Sequence, residues 1–274
     1  MTEYTLNRFL SKLGLDEEPM GLFFTNEKPE EGFSPTETEL PTREKELEDK
    51  INWPVVFGEF SCTIGHIWRA RRKKGTAYFS NEQFGCAGAA FWMGFTKPQT
   101  ETVINYIATG VPGWNDGERY CDSPETVTAI FDYVDPMPAP KKYCVVKPVS
   151  QFSDAEVPVL VIFFARPETL SGLHQLATFV TDDPEVVASP WGAACGSLVA
   201  WPLHYLEKGQ NRAVIGGWDP SARKFFKTDE LSFTIPYQMF QNMLDRYKDS
   251  FLDTETWETV QKKITRSNKA WSRR

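Results

Sequence analysis

The stretch "KKYCVVKPVSQFSDAEVPVLVIFFARPETLSGLHQLATFV", residues 141–180, decides the fold class. "KKYCVVKPVSQF" and "VPVLVIFFA" are rich in β-branched and aromatic residues, with the polar "SDAE" between them. They predict two adjacent strands. "RPETLSGLHQLATFV" then predicts a helix carrying Pro167 in its first turn. Two strands in succession and then a helix break the strand–helix alternation of a doubly wound sheet.

The rest of the chain repeats that mixture. "EYTLNRFLSKLGL" has Leu6, Phe9, Leu10 and Leu13 at helical spacing. "PMGLFFTNE", "TAYFS", "RAVIGG" and the start of "DELSFTIPYQMF" read as strands. Helices are predicted in "CTIGHIWRARRKK", from Cys86 onward, in "KPQTETVINYIATG", after Ser123, after Pro236 and in the C-terminal tail, which frays into basic residues. "AACGSLVAWPLHYLEKG" predicts a helix that Pro202 interrupts. The expected fold is α+β, a mixed sheet packed with helices in a single large domain. "DPMPAP" marks a candidate sub-domain boundary near 134–141. Residues 28–41 are rich in Pro, Glu and Thr and predict an exposed, poorly packed, mobile loop.

The chain has 274 residues and a formal net charge of -7. An acidic chain repels a phosphate backbone, so no nucleic-acid partner is expected. No apolar run reaches membrane-spanning length, and "MTEYTLNRFLSKLGL" carries charges where a signal peptide would be apolar. Both point to a cytoplasmic protein without a membrane partner. The basic run Arg69 to Lys74 sits where a helix dipole favours cations.

Cysteines stand at 62, 86, 121, 144 and 195, with no C-x-x-C pair, so a zinc ribbon or thioredoxin-type motif is absent. Cys86 lies in "SNEQFGCAGAAFWMGF" and Cys195 in "SPWGAACGSLVAW", both among small residues and flanked by aromatics. Small residues let a ligand, or another backbone, approach a helix start. There the unpaired N–H groups are expected to stabilise a thiolate, lowering its pKa below the free value of about 8.5. Cys62 and His66 are four apart and share a helix face, as half a metal site, a nucleophile–base pair, or a buried histidine bonded to backbone. Cys121 and Cys144 read as structural.

The order of these motifs resembles the ArCR-type family of domains of unknown function. In that family a cysteine opens a helix, a C-x-G-A-A-x-x-x-G segment follows, and a third cysteine lies in a small-residue stretch. The matching residues are Cys62; Cys86 with Gly88 and Gly94; Cys195; and, near the end, Arg223, Asp229, Glu230, Pro236 and Tyr237. A Gly-Cys pair of the family falls on Gly216 and Gly217, so that cysteine is missing. The resemblance implies no established activity.

The residues predict a protein that binds a small molecule or cofactor in a thiol-lined pocket. Cys86 and Cys195 face that pocket, and Arg71, Arg72 or Arg223 holds an anionic part of the ligand. A second reading is a redox enzyme in which Cys62, Cys86 and Cys195, with His66, bind an iron–sulfur cluster or another metal. A third is a structural or regulatory partner of an enzyme complex. No motif in the chain decides between binding and catalysis.

Overall fold

The computed structural model describes residues 3–272. The final two arginines of the expected fraying tail lie outside that range. In chain order the helices are α1 (Glu3–Leu13), α2 (Arg43–Leu47), α3 (Trp53–Gly58), α4 (Thr63–Lys73), α5 (Ala87–Trp92), α6 (Glu101–Ile107), α7 (Pro124–Val134), α8 (Pro167–Thr181), α9 (Trp201–Glu207), α10 (Tyr237–Arg246) and α11 (Glu255–Trp271). The strands are β1 (Met20–Thr25), β2 (Ala77–Phe79), β3 (Tyr143–Pro148), β4 (Leu160–Ala165), β5 (Val187–Ala188), β6 (Ala213–Gly216) and β7 (Leu231–Pro236). They form one seven-stranded sheet, ordered β2-β3-β1-β4-β7-β6-β5. All pairs are antiparallel except β5–β6, so the sheet is mixed and the fold is a single α+β domain.

β3 and β4 are adjacent in sequence but not in the sheet. β1 lies between them, paired antiparallel to both. The apolar "MGLFFT" is buried over its first five residues, and an interior position satisfies its backbone N–H and C=O groups on both edges. β4 shows why its run is apolar without alternation: all six residues are buried. Leu160, Ile162 and Phe164 pack on one face, with residues of α4 to α7 and α9. Val161, Phe163 and Ala165 pack on the other, with residues of α1, α8 and α10. Burying each such side chain contributes about 1.5–3 kcal/mol. The 134–141 segment leads from α7 into β3, and β3 pairs with β1 and β2 from before it.

One local expectation is corrected. Pro202 does not end its helix. A π-helical turn, Gly196–Ala200, runs straight into α9, whose N-terminal turn contains Pro202. A wide turn followed by a new helix start accommodates the missing N–H of proline. Residues 28–41 are irregular and largely exposed, with a few ties to the rest of the chain. Phe33 exchanges backbone hydrogen bonds with Thr76 and Tyr78, Thr38 N–H donates to Glu82, and Pro35 is buried.

Candidate functional site

Two glycines explain why the thiols meet. Gly85 has φ +87°, and a Cβ there would lie 2.5 Å from the Ser61 carbonyl oxygen. The close approach is sealed by Ser61 N–H to Gly85 O and by Thr63 Oγ1 to Phe84 O. The starts of α4 and α5, with Cys62 and Cys86 as their N-cap residues, therefore lie side by side. Gly196 admits the third segment. A Cβ there would sit 2.9 Å from the Trp92 ring, so the turn after Cys195 packs directly on α5.

All three cysteines join the same core cluster. Electrostatically, Cys62 acts on Cys86 and Cys195, and Cys86 on Cys195. Asp219 acts on all three. It caps the 3-10 helix Pro220–Phe225, taking Ser221 N–H on one oxygen and Ala194 N–H on the other. Cys62, Cys86 and Cys195 are therefore near enough to influence one another electrostatically.

Their expected protonation state is overturned. Burial pushes the Cys86 thiol up to about 12, against the opposing hydrogen bond that Sγ accepts from Ala89 N–H at 3.3 Å. Burial also raises Cys62, and raises Cys195 well above an ordinary thiol. α5 has only six residues, so its dipole and single capping N–H do not offset desolvation. These are neutral thiols at neutral pH.

His66 is buried on α4, with Nε2 3.2 Å from Ser61 Oγ and Nδ1 without a hydrogen-bond partner. Burial, and then the Arg69 charge, lower its pKa to about 4, so the ring is neutral. Among the described residues no group of three or more His, Cys, Asp or Glu is arranged to hold a metal ion. The fourth thiol could not simply be restored. A Cβ at Gly216 would fall 2.0 Å from Ser197 Oγ, and Gly217 has φ +87°.

Arg71 and Arg72 line a cleft that contains none of the three thiols. Nine residues of helix separate Arg71 from Cys62, about 14 Å of rise. Arg71 forms a bidentate pair with buried Glu230, at 3.0 and 2.8 Å, and bonds Glu17 at 2.7 Å. Its guanidinium also stacks on Phe164, 3.7 Å from the ring centroid. Arg72 lies over Trp68, in the same separate cleft. Arg223 donates to the carbonyls of Gly217, Lys227, Thr228 and Glu230, tying the turn before β7. The expectation that these residues hold a ligand beside Cys86 and Cys195 is corrected: Arg71 and Arg223 spend their donors inside the fold.

Sequence reasoning missed a cavity that reaches Ala193, two residues before Cys195, and has no cysteine in its own lining, so the expected thiol-lined pocket is not what the structure has. The cavity has a volume of 430 Å³ and is lined by Trp92, Glu118, Tyr120, Trp191, Trp218 and Asp219, among others. Gly192 lets the 189–193 loop lie against Trp92 and Trp201, since a Cβ there would be 3.4 Å from Trp92. Trp201 Nε1 bonds the Trp191 carbonyl at 2.8 Å, and Trp218 Nε1 bonds Ser189 Oγ at 2.9 Å. Glu118 is half-buried, and burial together with the Asp219 charge raises its pKa to about 7. The only signal in the sequence was a pair of turn-rich segments, "WNDGERYC" and "GGWDPSARKFF", which carry no spacing that marks a site. A larger groove of 1010 Å³ runs along residues 149–159 and Pro236–Tyr237; like the 430 Å³ cavity, it has no cysteine, histidine or arginine in its lining.

His204 is a core residue, its Nδ1 2.7 Å from the Val134 carbonyl oxygen. Cys144 is fully buried in β3, and Cys121 lies half-buried against the core. No helix among the described residues is long and apolar enough to cross a membrane. No curated protein and no solved structure matches the chain. The sequence profile of the uncharacterised ArCR family (DUF169) matches residues 8–246, a span that contains all three converging cysteines and the whole cavity lining, and the chain belongs to that family.

Proposed function

We propose that this protein binds a small molecule in the cavity between the 189–193 loop, Trp218–Pro220 and Glu118–Tyr120, with Cys62, Cys86 and Cys195 beneath it. One observation carries the reading. Asp219 lines the cavity and also acts on all three thiols, so an aromatic-walled space and a thiol cluster from distant segments meet at one residue. A volume of 430 Å³ lies in the range of small-molecule sites, which combine apolar walls with few polar groups. No thiol lines the cavity itself, so the ligand meets the tryptophans and carboxylates of its wall, with the neutral thiols behind them.

The test is a thermal-shift screen of small fragments against the wild type and Ala193→Phe, a substitution that fills the cavity. A ligand that binds only the folded state raises the melting temperature by mass action. The expected result is a set of fragments that stabilise the wild type and not the filled variant. Fragments that stabilise both equally, or none that separates them, would sink the proposal.

A further inference from the structure

The cavity lining is unusual in its charge. Among the described residues that line it there is no Lys, Arg or His, while Glu118 and Asp219 both do. Asp219 is held in place by three donors, Ser221 N–H, Ser221 Oγ–H and Ala194 N–H. The Ser221 side chain, whose hydroxyl hydrogen goes to Asp219, also lies beside Glu118. Among the groups that feel these carboxylates are Tyr106, Tyr120 and the three thiols, none of them cationic in any protonation state. Lys224 acts on Cys62 and does not line the cavity.

The walls complement that charge. Trp191 and Trp218 are 38% and 56% exposed, so their rings remain uncovered. The Trp218 ring is anchored through its indole N–H, and the Trp191 backbone through its carbonyl. An indole face presents negative potential to a cation, an attraction of about 0.5–2 kcal/mol per ring. Anchored residues also lose little freedom when a ligand arrives.

Resting on the pocket reading above, we infer that the ligand is an organic cation, an amine or quaternary ammonium, with Trp191 and Trp218 as its walls and Glu118 as its counter-charge. An anionic ligand would face two carboxylates, and a neutral one would leave the ionised Glu118 without a partner. Because Glu118 is neutral below about pH 7, binding strengthens as pH rises through that value. Below it, binding releases a proton from Glu118.

The experiment titrates tryptophan fluorescence with three probes of one shape: choline, its uncharged tert-butyl isostere, and pivalate. Wild type, Glu118→Gln, Trp218→Leu and Ala193→Phe are compared. The expected result is that choline binds the wild type about tenfold tighter than the isostere, and pivalate more weakly than either. Choline binding should weaken by up to about tenfold from pH 8 to pH 6, and Glu118→Gln should bind weakly at both. Trp218→Leu should weaken choline more than the isostere. Equal affinity for choline and the isostere, tighter binding of pivalate, or choline binding indifferent to pH and to Glu118→Gln would overturn the cation assignment. In those cases the pocket reading survives if Ala193→Phe abolishes binding. Probes that bind Ala193→Phe as well as wild type, or a wild type that binds none of them, would overturn both.

Discussion

Glu118 offers a test of the site's electrostatics that needs no ligand. Burial and the neighbouring Asp219 charge move its carboxyl from 4.5 to about 7. At about 1.4 kcal/mol per pKa unit, the ionised form is disfavoured by about 3 kcal/mol in the fold. Solvent screening of a half-buried group reduces this to about 1–2 kcal/mol. The sign follows from proton binding. Between 4.5 and about 7 the folded chain holds a proton on Glu118 that the unfolded chain has lost, so stability falls as pH rises across that window. Glu118→Gln keeps the shape of the side chain but cannot ionise. Urea denaturation followed by tryptophan fluorescence at pH 4 and pH 8.5 measures the difference. Relative to wild type, the variant should gain about 1–2 kcal/mol on going from the lower to the higher pH, at unchanged denaturant slope. A pH-independent difference would refute the reasoning. So would a relative loss at pH 8.5, which would mean that a cationic group already compensates the ionised carboxylate.

Removing the guanidinium in Arg71→Ala should strand the buried Glu230 charge and cost about 3–5 kcal/mol by chemical denaturation, whereas Arg71→Met with Glu230→Met should recover most of it. Gly217→Cys, at the position of the family's missing cysteine, should not rebuild a fourth thiol site. Gly217 has φ +87°, which side chains rarely adopt, and a Cβ there would lie 3.0 Å from the Phe226 ring, so a loss of about 1–3 kcal/mol is expected, and a wild-type urea midpoint would contradict that strain. Iodoacetamide should modify Cys86 slowly in the native protein at neutral pH, with a rate still rising above pH 9; a midpoint below about 8.5 would show that the helix start outweighs burial.

Much of the fold was legible because its signals are local. Helical spacing in α1, the apolar run of β4 and Pro167 in the first turn of α8 each specify an element within a few residues. That the chain passes closely at the starts of α4 and α5 was legible too, since small residues beside a helix start announce a close approach. The nature of that approach was not. At Gly85 and Gly196 it is chain against chain, and the same glycines would read identically around a bound ligand.

What the tertiary structure alone decided are the properties that sum over distant segments. β1 enters between β3 and β4 because an apolar strand is most stable with both edges paired, and no residue of the "SDAE" connection encodes that. Arg71 is committed to Glu230, 159 positions along the chain, so its availability to a ligand could not be read from its own helix. The thiol and Glu118 pKa values were out of reach for the same reason. A helix N-terminus is a local favour to a charge, whereas desolvation is imposed by every element that closes over it. At Cys86 the assembled burial wins.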